Sequence, residues 1–212
     1  TVKLLNQIGI PTVKKYARKL GITSQLSSDY TLGLGSSSVS LLELVTCFST
    51  FANGGMSVQP LSILSVKDSN SKTLEQRSPQ VNSAISPSTA YIMTYMLENV
   101  INKGTAKIIR NMGFTGPCAG KTGTTNDSTD AWFIGYTPDL VLGIWIGFDA
   151  KQSMGKSMTG GGLAAPLWAE FMLNYFGVSR QECAVPDNIV FKKICTKSGK
   201  LALQTCPTSV DA

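Results

Sequence analysis

The sequence predicts an α+β domain in which helices come first, an antiparallel sheet follows and a last helix covers that sheet. Three observations carry this. Apolar residues recur at helical spacing in the first half, as at Ile92, Met93, Met96, Leu97, Val100 and Ile101. Residues 130–136 and 140–148 are nearly continuous apolar runs, as strands covered on both faces are, and the tight turn Tyr136-Thr137-Pro138-Asp139 makes them antiparallel neighbours. Pro166 then opens an apolar helix through Trp168 and Phe171.

The elements can be justified in order. Val2 to Ile8 reads as a helix stopped by Gly9. Pro11 opens a second, with Val13, Tyr16, Ala17 and Leu20 on one face and Gly21 past its end. A Ser/Gly-rich loop follows over residues 23–38. Ser40-Leu41-Leu42-Glu43 has capping-box spacing and starts a helix that Asn53-Gly54-Gly55 ends. Residues 58–66 and 73–81 alternate around the turn-forming cluster 67–71 and predict a hairpin. Ser86-Pro87 starts the long helix, and a shorter one ends near Met112-Gly113. Strands are expected over 118–124, 130–136 and 140–148. The last helix should end at Gly177, so that residues 1–177 form one domain and 178–212 an irregular extension with a single hairpin.

With 212 residues, 42% hydrophobic and 15% charged, the chain can build a packed globular core. The net charge of +6 is scattered as solvated helix faces, Lys14, Lys15, Arg18 and Lys19 among them. No aromatic residues interleave with these charges, so no nucleic-acid partner is expected. The longest apolar run, residues 140–148, is far short of the roughly 20 residues that span a bilayer. Histidine is absent, which removes His-based triads and His metal ligands from this chain. The five cysteines lack zinc spacing, and no metal or cofactor is expected. Cys47 belongs to an apolar helix face. Cys195 and Cys206 bracket a Gly-containing turn and can pair where the compartment is oxidising.

Chemistry concentrates at Lys121-Thr122-Gly123-Thr124-Thr125, the end of the first predicted sheet strand. Strand alternation sends Thr122 and Thr124 one way and Lys121 and Gly123 the other. Two neighbouring hydroxyls on an open edge suit a carboxylate, which accepts hydrogen bonds and donates none. The lysine adds positive charge for an anionic substrate. Gly123 keeps a cleft clear of side chain, and the Thr124 N–H can point into that cleft as an oxyanion donor. Gly120-Lys121-Thr122 also has the ending of a phosphate-binding P-loop. That motif needs glycine five residues before Gly120; Thr115 stands there, and a strand rather than a helix follows.

Lys121 to Thr125 and the following residues to Asp139 resemble the third active-site motif of the penicillin-binding proteins. Leu32-Gly33-Leu34-Gly35-Ser36, Phe51-Ala52-Asn53-Gly54-Gly55 and the stretch Thr159-Gly160-Gly161-Gly162 to Trp168 are similar, in the same order, to the transpeptidase domain of the class A, bifunctional members. The resemblance covers roughly residues 1–177. It implies the α+β fold shared with serine β-lactamases, an antiparallel sheet flanked by helices. It also implies a serine-type D-Ala-D-Ala transpeptidase or carboxypeptidase that cross-links peptidoglycan stem peptides and is acylated by β-lactams. Lys121 and Thr124 would be catalytic, and Thr122, Gly123, Thr124 and Thr125 would bind substrate. The setting would be the outer face of the cell membrane, with an anchor and a glycosyltransferase domain in the intact protein.

The departures are specific. Neither Ser69-Asn70-Ser71-Lys72 nor Ser153-Met154-Gly155-Lys156 lies at the start of a buried helix, where the family keeps its Ser-x-x-Lys nucleophile, and no Ser-x-Asn triplet occurs. Thr1-Val2-Lys3-Leu4-Leu5 is similar to the residues just after that second motif. The expectation is therefore an incomplete fold, inactive alone, whose upstream part carries the nucleophile. A non-catalytic scaffold and a β-lactamase-type hydrolase are the alternatives.

Overall fold

The computed structural model describes residues 1–176, 182–203, 206 and 209–211. Helix α1 (Val2–Ile8) stops at Gly9, whose φ of 87° turns the chain directly into α2 (Ile10–Lys19). No residue of α2 is fully buried, and Tyr16 is 48% exposed. The apolar face expected there is half covered at Val13, Ala17 and Leu20, because α2 lies at the margin of the core. A short 3₁₀ turn (Tyr30–Leu34) follows, capped by Asp29, whose carboxylate accepts the Thr31 N–H at 2.8 Å.

Helix α3 (Leu41–Ala52) begins with the capping box read from the sequence. The Ser40 hydroxyl accepts the Glu43 N–H at 3.2 Å, and the Glu43 carboxylate accepts the Ser40 N–H at 2.8 Å. Glu43 also accepts the hydroxyls and N–H groups of Ser24 and Thr23, all at 2.6–2.7 Å. These bonds, the Ser24 and Thr23 hydroxyls foremost, hold its carboxyl far below the usual range.

The hairpin expected next is present but interrupted. Its base pairs β1 (Met56–Val58) with β4 (Val81–Ser83), and its tip pairs β2 (Ser65–Lys67) with β3 (Thr73–Gln76), both antiparallel. Pro60 and Pro79 stand in the gap between the two ladders, where a residue lacking N–H cannot continue the pairing. Every residue of β2 and β3 is exposed.

Helix α4 (Pro87–Asn102) is capped by Ser86, whose hydroxyl accepts the Thr89 N–H at 3.2 Å. It buries Ala90, Thr94, Leu97 and Ile101, while Ile92 and Met96 are half exposed at 50% and 51%. The inward line is thus rotated from the apolar stripe read in the sequence. Thr94 is the reason it escapes an apolar count: its hydroxyl is buried against the Tyr136 hydroxyl at 2.9 Å. Helix α5 (Ile108–Asn111) then leads to the sheet.

Strands β5 (Ala119–Thr124), β6 (Asp130–Tyr136) and β7 (Val141–Gly147) form an antiparallel sheet in the order β5-β6-β7, with Thr122 opposite Phe133 and Phe133 opposite Ile144. Alternation on β6 feeds two cores. Tyr136 packs with Phe51 of α3 and Leu97 of α4. Phe133 faces the other way, with Phe114, Ile109 and Trp168. The indole of Trp168 meets the rings of Phe114 and Phe133 edge-on, each 5.6 Å away. It fits because position 135 is glycine: a Cβ there would sit 2.7 Å from Trp168 Cε2.

A π-helical turn (Gly160–Ala164) enters α6 (Ala165–Phe176), which covers the Phe133 face. Towards the C-terminus, β8 (Lys193–Cys195) pairs antiparallel with β9 (Ser209–Asp211). Gly177 and the expected boundary after it lie outside the described residues. No described helix is long and apolar enough to cross a membrane.

Candidate active site at the β5 edge

β5 is an edge strand of its sheet, and its hydrogen-bond phase decides what it offers. The Thr125 N–H donates to the Asp130 carbonyl at 3.2 Å. Antiparallel pairing alternates, so Thr125, Gly123 and Lys121 turn their main-chain groups toward β6. Thr124 and Thr122 therefore turn theirs outward, and the Thr124 N–H lies on the open side of the sheet.

The hydroxyls are more tightly held than a bare strand edge suggests. Thr122 Oγ1 lies 2.6 Å from Thr105 Oγ1, in the turn between α4 and α5. Thr124 Oγ1 accepts the Gly160 N–H at 3.0 Å. That acceptance commits an oxygen lone pair and leaves the Thr124 O–H to donate elsewhere. In the Thr105–Thr122 pair one O–H bridges the two oxygens and the other remains available. Two donors are thus presented side by side, which is the complement of a carboxylate.

Glycines make this approach possible. A Cβ on Gly160 would fall 2.3 Å from the Trp132 carbonyl and 2.5 Å from that of Gly123, and one on Gly161 2.3 Å from the Thr105 carbonyl. The backbone of the π-helical turn therefore lies directly on the sheet beside β5. On the opposite face, a Cβ on Gly123 would be 3.1 Å from Trp132 Cβ. Lys121 projects on that face, and its ammonium donates to the Thr122 carbonyl at 2.8 Å. Partial burial lowers its pKa from the ordinary 10.5.

Thr125 is placed differently from Thr122 and Thr124. Its hydroxyl accepts the Asp130 N–H at 2.8 Å and pairs with the Thr129 hydroxyl at 2.7 Å, inside the β5–β6 turn. Asp130 also accepts the Trp145 indole N–H at 2.9 Å; that bond, with those from Thr129 and Thr125, keeps its carboxyl below the usual range. Asp127 and Ser128 at the turn's tip have φ of 62° and 51°. Their carbonyls accept the Ser153 hydroxyl and the Met154 N–H, fastening the loop before Gly160 to the hairpin.

The two Ser-x-x-Lys strings lie in other surroundings. Ser69 and Lys72 sit in the β2–β3 turn, where the Asp68 carboxylate accepts the N–H groups of Asn70 and Lys72 at 2.9 Å each. Ser153 is spent on the Asp127 carbonyl. Among the described residues no hydrogen bond joins Ser69 to Lys72 or Ser153 to Lys156, and no cluster of metal-ligating side chains occurs. Sequence reasoning did not find Thr105 or the Gly160 N–H as members of the site. Gly104-Thr105 directly after a helix end, and three consecutive glycines before Pro166, were the available signals.

The description "Penicillin binding protein transpeptidase domain" fits residues 1–173. The chain is 37% identical over 178 residues to penicillin-binding protein 1A of Neisseria gonorrhoeae, covering 81% of this chain and 22% of that protein. It is 35% identical over 207 residues to penicillin-binding protein 1A of Aquifex aeolicus, covering 97% of this chain and 28% of that one. The chain therefore spans about a quarter of the length of these relatives. Its fold superposes on the crystal structure of penicillin-binding protein 1A from Haemophilus influenzae with a TM-score of 0.89, at 24% identity, over 99% of this chain and 37% of that one. The fold is thus the α+β penicillin-binding transpeptidase fold, and the chain belongs to the penicillin-binding protein transpeptidase domain family.

Proposed function

We propose that this chain supplies the carboxylate-binding and oxyanion side of a peptidoglycan D,D-transpeptidase site whose serine nucleophile lies outside residues 1–212. The observation that carries the reading is the β5 edge. There the Gly160 N–H fixes the Thr124 hydroxyl as a donor beside the outward Thr124 N–H. Family membership supports the reaction class, and the placement of one Ser-x-x-Lys string in a hydrogen-bonded turn and the other in a loop tied to the Asp127 carbonyl supports a nucleophile from elsewhere.

In this reading the terminal carboxylate of a D-Ala-D-Ala stem peptide accepts from Thr122 and Thr124. Serine oxygen attacks the carbonyl of the penultimate D-Ala. The negative charge that develops on the carbonyl oxygen is met by the Thr124 N–H, a kind of donor whose loss typically costs ~10²–10³ in rate. Collapse of the tetrahedral species breaks the C–N bond, and the departing D-Ala amine takes a proton. The amine of a neighbouring stem then displaces the serine; water in its place gives carboxypeptidase activity. Lys121 provides positive charge for the anionic substrate and, with its lowered pKa, takes part in the proton relay. Gly123 keeps the strand bare where substrate lies along it, and Thr125 closes the hairpin behind Thr124. β-Lactams enter by the same route, their carboxylate at the two threonines. The intact protein would also carry a glycosyltransferase domain and a membrane anchor, with this domain on the extracytoplasmic face.

The test is turnover of a stem pentapeptide by the full-length gene product. Release of D-Ala that penicillin abolishes is the expected result. A folded, penicillin-free protein that releases no D-Ala contradicts the proposal.

A further inference from the structure

Thr105 occupies a place that the transpeptidase reading does not itself explain. It lies in the turn between α4 and α5, and the residues on both sides hold it still. Gly104 packs so closely on the end of α4 that a Cβ would be 2.8 Å from the Val100 backbone. Ala106 is fully buried, and its N–H donates to the Val100 carbonyl at 3.0 Å. The Thr105 carbonyl abuts Gly161. Thr105 is an exposed residue, and its hydroxyl stands 2.6 Å from that of Thr122.

Two hydroxyls at that distance share one hydrogen, and either can be the donor. A carboxylate removes the ambiguity, because it only accepts. When Thr122 donates to the substrate, its oxygen lone pairs remain to receive the Thr105 O–H. Each bond of such a chain polarises the next. The same logic is built in beside it, where the Gly160 N–H donates to Thr124. Each substrate-facing hydroxyl thus has one fixed donor behind it, a main-chain N–H in one case and the Thr105 side chain in the other.

Resting on the transpeptidase reading, we propose that Thr105 is a positioning residue. By donating to Thr122 it commits the Thr122 O–H to the substrate carboxylate, and so it sets the preference of the site for substrates and β-lactams that carry a free carboxylate.

The test uses the full-length gene product, comparing acylation by a penicillin with acylation by the methyl ester of the same penicillin. Thr105→Val should slow reaction with the free acid by about 2- to 12-fold, the span of one ordinary hydrogen bond, and leave the ester within about twofold. Thr105→Ser, which keeps the hydroxyl, should restore the wild-type ratio of acid to ester. An unchanged ratio in Thr105→Val, whether both rates hold or both fall together, overturns the role given to Thr105. Wild-type protein that takes up neither compound overturns the transpeptidase reading first, and this role with it.

Discussion

Two hairpins of this chain carry a Ser/Thr–Lys string, and they could hardly be built more differently. The β2–β3 ribbon holds Ser69 and Lys72 at a tip where every strand residue is exposed on both faces. The β5–β6 hairpin holds Lys121, Thr122 and Thr124 on a strand whose neighbour is buried along most of its length, between helices on either face. Both tips contain non-glycine residues with positive φ: Ser71 in the first, Asp127 and Ser128 in the second. Among the described residues only the second tip is fastened to another segment, the loop at Ser153 and Met154. A string of the right residues becomes a site when neighbouring backbone fixes which way its hydroxyls donate. The described residues give the first hairpin no such support.

The largest expected effect comes from pressing on that support. Gly160→Ala places a Cβ within 2.3 Å of the Trp132 carbonyl, and main chain cannot yield as a side-chain end can. Overpacking of this kind costs about 1–3 kcal/mol or more, and the displaced turn should take the Gly160 N–H away from Thr124. Thermal unfolding and penicillin acylation of the full-length gene product should both suffer. Ser71→Gly, in the other hairpin, relieves a φ of 63° and should move stability by no more than ~0.5 kcal/mol. Equal effects of the two would erase the contrast between the hairpins.

Next come the hydroxyls. On the proposed reading Thr122→Val and Thr124→Val each remove a bond to a charged carboxylate, about 1.5–3 kcal/mol, so acylation efficiency should fall about 10- to 150-fold. Ser69→Ala and Lys72→Ala should acylate as wild type does. Stopped-flow acylation rates decide both claims, and wild-type rates in the threonine variants would place their side chains outside the cleft.

A smaller signature lies in the pH profile. Burial favours neutral Lys121, so its folded pKa lies below the 10.5 of an exposed lysine. In the window just below that value the unfolded chain binds more protons, and stability should rise with pH there. Attraction of an anionic substrate runs the opposite way and should fade with a midpoint below 10.5. Lys121→Arg, with a guanidinium that stays charged, should push that alkaline limb upward. An unmoved limb would assign it to another group.

The smallest effect contrasts the C-terminal ribbon with the packed core. The Cys206 thiol beside Cys195, helped by Ser198, brings the Cys195 pKa down to about 7, whereas burial pushes Cys47 and Cys118 up to about 11. Alkylation of native protein with its thiols kept reduced should reach half its full rate at Cys195 near neutral pH and leave Cys47 and Cys118 untouched. Cys206→Ser should raise that midpoint. Mass spectrometry of the alkylated peptides reads both outcomes.

Much of this was legible in the sequence because it rests on local rules. Ser40 with Glu43, Ser86 before Pro87, and the stop at Gly9 each act within four residues, and all appear where the spacing puts them. The sheet was legible because β6 and β7 are apolar on both faces. What escaped depends on distant partners. Thr94 looks polar in a buried line until Tyr136 arrives 42 residues later. Thr105 gains meaning only when Thr122 lies beside it, and the Gly160 N–H only when it comes to rest against Thr124, 36 residues earlier. Ile92 and Met96 carry the helical period of α4 and yet face outward, because periodicity reports apolar spacing and not what covers it.

The central claim is that the β5 edge binds the substrate carboxylate while the nucleophile comes from outside residues 1–212. Mapping the penicilloyl ester on the full-length gene product by peptide mass spectrometry addresses it most directly. The label should sit on one serine outside this chain, weakened in Thr124→Val, with Ser69 and Ser153 unmodified. A penicilloyl ester on Ser69 or Ser153 would contradict the account.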